Sequence, residues 1–151
     1  MIPAGVREQV KARDGGRCCR CGATAESIHH RKPRGMGGTR DERANDMRNL
    51  VSLCGSGTTG CHGRIEAHRR QAYEAGWLLR SYDALDTPML CPNGVLVTLD
   101  QDGSLRRERD GASLALAELV YTQGDVLDAE ALDVPTEEPP ADVEHPTGCA
   151  K

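Results

Sequence analysis

The sequence predicts an α+β fold in which two short strands and a helix lie beside a four-cysteine metal site. Residues 26–32 and 49–54 are compatible with short strands, and residues 61–75 carry the apolar stripe of a helix. Two pairs of cysteines flank these segments. The chain of 151 residues has three Tyr, one Trp and no Phe, so we expect a metal ion to stabilise a core that is poor in aromatic side chains.

The first half of the chain predicts a helix, a strand, a loop and a second strand. Residues 3–14 favour a short helix, which the two following glycines end. The strand at 26–32 is interrupted by Pro33. Residues 34–47 carry three glycines and many charges without apolar periodicity, which indicates a loop before the strand at 49–54.

The second half of the chain begins with the helix at 61–75, and Gly76 is well placed to end it. Residues 93–108 predict a β-hairpin that turns at Asp102-Gly103. Residues 111–122 predict one more short helix, with apolar positions that include three leucines and a valine.

These elements divide the chain into three parts. Residues 1–80 form the predicted main domain, and residues 81–122 form a β-hairpin and short-helix extension. Residues 123–151 are acidic, contain several prolines and are too poor in apolar residues to fold alone, so we expect a disordered tail.

Charge is distributed unevenly along the chain. Residues 1–80 hold 15 Lys and Arg against 8 Asp and Glu, whereas residues 81–151 hold 4 against 15. The first part therefore carries +7 and the second −11. A basic main domain is typical of a protein that binds a polyanion such as DNA.

Cysteine usage and the absence of long apolar segments indicate a soluble, cytoplasmic protein without a membrane partner. No segment has the length and composition of a signal peptide or a membrane span. The seven cysteines are an odd number with clustered spacing, which argues against a disulfide framework. In a reducing compartment their thiols are free to bind metal.

Four of the cysteines have the spacing of a structural zinc site. Cys18 and Cys21 form a C-x2-C pair, and Cys54 and Cys61 form a second pair with six residues between them. Folding of the two strands and the helix would bring the pairs together as a tetrahedral zinc site. The alternatives are a redox C-x2-C pair and unliganded core thiols. Cys19, Cys91 and Cys149 have no assigned role.

Histidines and a carboxylate suggest a second, open metal site. His29 and His30 are adjacent on the first strand, where neighbouring side chains face opposite sides. His62 opens the predicted helix and Glu66 follows four residues later on the same face. His29, His62 and Glu66 are therefore candidate ligands of an ion that retains positions for water and phosphate oxygen.

Three segments carry a resemblance to a known family. HHRKPRGMGG (29–38), RNLVSLC (48–54) and GCHGRIEAH (60–68) resemble the HNH endonucleases, especially the compact, zinc-stabilised kind that looks phage-encoded. The resemblance covers roughly residues 15–80 and implies a ββα-metal core.

The resemblance implies roles for individual residues. His29 and His62 match the family's metal ligands, and His30 matches its general base. Asn49 matches the asparagine that holds the base histidine and its loop in place. Many members carry a further histidine where this chain has Glu66, and a carboxylate ligand would favour magnesium or manganese.

The resemblance also implies an activity, cofactors and partners. It implies hydrolysis of DNA phosphodiester bonds, by nicking or double-strand cleavage, with a structural zinc ion and one catalytic divalent ion (Mg²⁺, Mn²⁺, Ni²⁺ or Zn²⁺). Related proteins suggest a role in phage DNA packaging beside terminase subunits or the portal, in the cytoplasm of the host cell. Basic residues near the site are expected to contact DNA phosphates: Arg31, Lys32, Arg34, Arg48 and Arg64.

Two other interpretations remain open. A zinc-stabilised nucleic-acid-binding module without catalysis would also explain the four cysteines and the basic main domain. A restriction or homing enzyme would share the chemistry but would usually need an additional specificity domain.

Overall fold

The computed structural model of the protein describes residues 1–34, 42–100 and 102–121. These residues form a mixed α+β structure with two small antiparallel sheets, which confirms the predicted fold class at this level. The predicted acidic tail at 123–151 lies outside the described residues. None of the helices in the described part of the chain is long and apolar enough to cross a membrane.

The first sheet has two strands that agree closely with the predicted ones. Strand β1 (Ser27–His30) pairs antiparallel with β2 (Leu50–Leu53), so that Ser27 lies opposite Leu53 and His30 lies opposite Leu50. The predicted loop at 34–47 contains a short 3-10 helix at Glu42–Asn45 and the start of a second at Met47–Asn49. Residues 35–41 of that loop are outside the described part.

Helix α1 (Ala4–Arg13) packs against the outer side of β2. The Arg13 guanidinium donates to the carbonyls of Met47 and Leu50, each at 2.7 Å. The buried carboxylate of Asp14 accepts from the backbone N–H of Ser52 at 2.9 Å. These bonds anchor the end of α1 to the middle of the first sheet.

The helix predicted at 61–75 is two helices, α2 (Gly60–Ala67) and α3 (Arg69–Glu74). They are separated by His68, whose φ of −113° and ψ of 53° are not helical. Gly76 follows α3 with a φ of 76°, as expected for a helix-ending glycine. A Cβ at this position would lie 2.1 Å from the carbonyl oxygen of Pro88, so the close approach of the chain also requires glycine.

The second sheet contains the predicted hairpin and one additional strand. Strands β4 (Leu96–Leu99) and β5 (Leu105–Glu108) form the hairpin, and Gly103 in its turn has a φ of 81°. The additional strand β3 (Met89–Leu90) pairs antiparallel with β4. It was not predicted because two residues give no periodicity.

Helix α4 (Gly111–Tyr121) confirms the predicted helix, but it packs through a different face. Its buried residues are Ser113, Ala117 and Tyr121, whereas Leu116 and Leu119 are exposed. The helix therefore approaches the rest of the molecule through small side chains and one tyrosine.

One hydrophobic core joins the main domain and the extension. Trp77 is 1% exposed, and its Nε1–H donates to the Leu90 carbonyl at 2.8 Å. The Tyr121 hydroxyl donates to the same carbonyl at 2.5 Å. The core thus includes residues from the first sheet, both middle helices, the second sheet and α4, so residues 81–121 are packed as part of the same structure.

Candidate metal centres

The first candidate centre is a cluster of four cysteine sulfurs. The Sγ atoms of Cys18, Cys21, Cys54 and Cys61 all lie within 4.8 Å of one another. The Cys21 and Cys54 sulfurs are 3.7 Å apart, far longer than a disulfide bond of about 2.05 Å. Metal–sulfur bonds of about 2.3 Å in a tetrahedron separate sulfurs by about 3.8 Å. The four cysteines could therefore hold a metal ion such as zinc.

A turn after α1 positions Cys18 and Cys21. The N–H of Gly22 donates to the Cys18 carbonyl at 2.8 Å, and the Cys18 N–H donates to the Ala23 carbonyl at 2.7 Å. Cys19 is outside the cluster, and its N–H instead donates to the Ser52 carbonyl of β2 at 2.9 Å. The turn thus places the sulfurs of Cys18 and Cys21 in the cluster, and the backbone of Cys19 attaches the turn to the first sheet.

A tight loop positions Cys54 and Cys61. Gly55 and Gly60 have φ values of 74° and 61°, and a Cβ on Gly55 would lie 2.2 Å from the Thr59 carbonyl oxygen. The Cys61 N–H donates to the Cys54 sulfur at 3.4 Å. The six intervening residues therefore form a specific compact turn, which depends on glycine at two positions.

Hydrogen bonding within the cluster favours a thiolate at Cys18. The hydrogen bond from Cys61 lowers the pKa of Cys18 to about 5, and sharing that bond raises the pKa of Cys61. Arg20 places its Nη1 at 3.8 Å from the Cys61 sulfur. A cation beside the sulfurs offsets the negative charge that four thiolates bring to a divalent ion.

The second candidate centre consists of His29, His62 and Glu66, whose ligand atoms lie within 4.8 Å of one another. The His29 Nδ1 and Glu66 Oε1 atoms are 3.8 Å apart. The two imidazole rings meet edge to face, with centroids 5.0 Å apart. Two imidazoles and a carboxylate are a donor set that suits a divalent ion with open coordination positions.

The first sheet and α2 bring these three residues together. Ser27 and His29 are two residues apart on β1 and therefore lie on one face, and both contact His62. His62 and Glu66 are one helical turn apart on α2. Burial lowers the pKa of His29 to about 3 and also lowers the pKa of His62. Both rings are therefore neutral at pH 7, as metal ligation requires.

His30 lies on the opposite face of β1 from His29. Its ring is beside Arg34 and Asn45, and burial followed by the Arg34 charge lowers its pKa to about 4. Its Nε2 atom is buried and has no hydrogen-bond partner among the described residues. His30 is therefore neutral and adjacent in sequence to a candidate ligand, but it is not one of the clustered ligand atoms.

Asn49 is the last residue of the 3-10 helix before β2 and is fully buried. Its Oδ1 accepts from the backbone N–H of Lys32 at 2.7 Å, and its Nδ2 donates to the carbonyl of Ala44 at 3.0 Å. The side chain thus fixes the backbone two residues after His30 to the chain that precedes β2.

The prediction that Arg31 contacts DNA is wrong, because the residue is 0% exposed. Its guanidinium donates to backbone carbonyls of Gly76, Leu85 and Thr87, and at 3.3 Å to that of Arg48. Burial lowers its pKa to about 9, so it stays charged at pH 7. Arg31 is a structural cation that ties the end of β1 to the segment after α3.

The other predicted DNA-binding residues lie at the surface or are partly buried. Lys32 donates through Nζ to the Ser81 carbonyl at 3.1 Å, and Arg34 donates to the side chain of Asn45. Arg48 forms a two-point ion pair with Asp46, with its closest N···O distance at 2.7 Å.

Arg64 is placed apart from these three basic residues. It lies on α2 and lines a small cavity with Arg20, Trp77 and Tyr121.

Sequence reasoning missed three groups that contact the second centre. The Ser27 hydroxyl lies 2.8 Å from His62 Nδ1, the Trp77 carbonyl lies 3.2 Å from His29 Nε2, and Arg69 donates to Glu66 at 2.6 Å. The two-residue strand period could have placed Ser27 on the His29 face, and helical spacing could have paired Arg69 with Glu66. The carbonyl of Trp77 has no sequence signal because it depends on the path of the chain after α3.

Comparisons with known proteins add no family to these observations. No family model matches the chain, and neither a curated protein nor a solved structure matches it.

Proposed function

We propose that the protein is a metal-dependent DNA endonuclease of the HNH type. The observation that carries the proposal is the convergence of His29, His62 and Glu66 from a two-stranded sheet and the helix that follows it. The sequence resemblance described above assigns the first two of these residues to metal binding.

The donor set fits a catalytic divalent ion. His29, His62 and Glu66 would hold the ion through three protein ligands, and a carboxylate among them favours a hard cation such as Mg²⁺ or Mn²⁺. When bound, the ion supplies stabilisation of the negative charge that builds on the phosphoryl and leaving oxygens. The four cysteines would hold a separate structural zinc ion, as their sulfur geometry supports.

His30 is the proposed general base. Its ring is neutral at pH 7 and can therefore act as a base. Its Nε2 atom is buried without a partner among the described residues, so DNA binding would have to open access to it before it accepts a proton from the attacking water. The water oxygen would bond to phosphorus as the bond to the 3′ oxygen breaks. Asn49 supports this role by fixing the backbone after His30.

DNA phosphates would be held by the basic side chains near the end of β1. Lys32 and Arg34 follow His30 closely in the chain, and Arg48 precedes Leu50, the residue that pairs with His30. Phosphate contacts position DNA without reading its sequence. Arg64 is proposed as a peripheral contact. The resemblance extends the proposal to phage DNA packaging, with terminase subunits or the portal as partners in the cytoplasm of the host.

A second candidate function is a zinc-stabilised nucleic-acid-binding module without catalysis. The observation in its favour is the position of His30, whose ring is on the other face of β1 from the candidate metal ligands. In a nuclease, the scissile phosphate would have to reach both the metal ligands on one face of β1 and His30 on the other face. A binding module has no such requirement.

Plasmid nicking separates the two functions. We expect the wild-type protein to nick supercoiled DNA with Mg²⁺ or Mn²⁺. The same assay is run with Ni²⁺ and with Zn²⁺. His30→Ala and His62→Ala should each reduce the rate by at least about 100-fold while retaining DNA binding. His68→Ala is the matched control, because His68 is exposed and outside the ligand cluster.

The outcomes of this assay are distinct. Full activity in His30→Ala would remove His30 from the mechanism. DNA binding without nicking by the wild-type protein under every metal condition would support the binding module instead.

A further inference from the structure

We infer that Ser27 is a positioning residue that fixes the tautomer of His62, so that His62 presents its Nε2 atom to the divalent ion. The inference rests on the proposed metal site at His29, His62 and Glu66. It goes beyond that site by assigning which atom of each histidine is the ligand and which residue determines the choice.

The hydroxyl of Ser27 has three neighbours that compete for one hydrogen. Its Oγ lies 2.7 Å from the Gly55 carbonyl oxygen, 3.4 Å from the Leu53 carbonyl oxygen and 2.8 Å from His62 Nδ1. Carbonyl oxygens only accept hydrogen bonds, and a serine hydroxyl has a single hydrogen to donate.

The short contact with Gly55 therefore decides the arrangement. If the Ser27 hydrogen pointed at His62, two oxygens would face each other at 2.7 Å without a hydrogen between them. The hydroxyl consequently donates to Gly55, and His62 Nδ1 must carry the hydrogen that it donates to Ser27. The lone pair of a neutral ring then lies on Nε2.

His29 has the opposite tautomer for the same physical reason. Its Nε2 lies 3.2 Å from the carbonyl oxygen of Trp77, so this nitrogen is the donor. The lone pair is on Nδ1, which is the atom that lies 3.8 Å from Glu66 Oε1. The two histidines would thus bind the ion through different ring nitrogens.

Glu66 completes a consistent pattern. Its Oε2 accepts from Arg69 at 2.6 Å, while its Oε1 is the oxygen near His29. In each of the three ligand side chains, the polar atom that would not bind the ion is therefore held by a separate group. Such outer contacts orient metal ligands, and their loss commonly weakens metal binding by roughly 10- to 100-fold.

The inference is tested on the full chain with its cysteine site loaded with zinc. Long-range proton–nitrogen NMR of the imidazole rings reports the tautomer without a second metal. We expect wild-type His62 as the Nδ1–H form, and a mixture of both forms in Ser27→Ala. Calorimetric titration with Mn²⁺ should show an affinity for Ser27→Ala that is lower by roughly 10-fold.

Two further variants separate positioning from a general structural effect. Ser27→Thr keeps the hydroxyl and should retain the tautomer and the Mn²⁺ affinity. Ser52→Ala removes a buried hydroxyl on the neighbouring strand that has no partner among the described residues, and it should change neither measurement.

The contradicting results are equally specific. Wild-type His62 in the Nε2–H form, or Ser27→Ala with unchanged tautomer and Mn²⁺ affinity, would overturn the inference. A wild-type protein that binds no Mn²⁺ would overturn both the ligand assignment and the metal site. A protein that binds Mn²⁺ as described but does not nick DNA would overturn the proposed function alone.

Discussion

Three consecutive residues, His29, His30 and Arg31, have three different environments. His29 points into a polar cluster with His62, His30 is on the other face beside Arg34, and Arg31 is enclosed by backbone carbonyls. The alternation of side chains along a strand accounts for the first two. The burial of Arg31 depends on the segment after α3, which supplies three of its carbonyl partners.

Replacement of Arg31 should therefore affect stability and not phosphate binding directly. We expect Arg31→Ala to lower the free energy of unfolding by about 3 kcal/mol or more, because several buried carbonyls lose a charged donor. Lys32→Ala is the comparison at the neighbouring surface position and should change stability by less than about 0.5 kcal/mol. Urea denaturation followed by circular dichroism measures both, and equal stabilities would refute the structural role.

At this scale the sequence indicated which residues meet but not how they are held. The spacing of His62 and Glu66 and the strand position of His29 predicted a shared cluster, because local geometry determines it. The role of Arg31 could not be predicted, because a buried and an exposed arginine look the same in sequence. What distinguishes them is the distant chain that supplies the acceptors.

Among the elements, the loop between Cys54 and Cys61 shows how backbone geometry determines a side-chain cluster. Gly55 and Gly60 adopt positive φ angles and leave no room for a Cβ, which brings the two cysteines to the same end of α2. The structure shows a defined turn, closed by a hydrogen bond of 3.1 Å from the Thr59 N–H to the Ser56 carbonyl.

The glycines of this loop provide a matched pair of variants. Gly55→Ala should lower the free energy of unfolding by at least about 2 kcal/mol, since a side chain there is strained and contacts Thr59 at 2.2 Å. Gly57→Ala should be close to neutral, because nothing lies within 4 Å of the added Cβ. Thermal unfolding of the zinc-loaded protein distinguishes them, and equal losses in the two variants would contradict the tight-turn description.

Segments marked by apolar spacing or turn residues were predictable as elements, and a two-residue strand or an interruption without such a signal was not. The first two strands, the hairpin and the final helix follow from apolar spacing and turn residues. The break at His68 carries no glycine or proline signal, and β3 has only two residues. The buried face of α4 was also not predicted, because the helix packs through the small side chain of Ala117 while the larger side chains of Leu116 and Leu119 are exposed.

At the scale of the molecule, the hydrophobic core of the described residues and the cysteine cluster hold distant parts of the chain together. The cluster joins the turn after α1 to the loop before α2, and it adjoins the core through Cys18 and Cys61. A chain with few aromatic side chains gains cross-links from such a site. The stability of the molecule should therefore depend on the metal.

Removal of the metal tests this dependence. Cys54→Ser should lose bound zinc and the cooperative unfolding transition, and chelation of the wild-type protein should have the same effect. Cys91→Ala is the control, because Cys91 is buried but lies outside the four-sulfur cluster, so it should retain zinc. Zinc content and the thermal unfolding transition are measured for each protein. A Cys54→Ser protein that unfolds cooperatively without zinc at the wild-type temperature would contradict a structural metal.

Anomalous diffraction from crystals soaked in Mn²⁺ would show whether a divalent ion binds between β1 and α2. We predict a manganese peak about 2.2 Å from His29 Nδ1, His62 Nε2 and Glu66 Oε1, together with a separate zinc peak among the four sulfurs. The zinc peak serves as the internal reference for metal occupancy. A map with the zinc peak but no manganese beside these three residues would mean that they do not form a metal site.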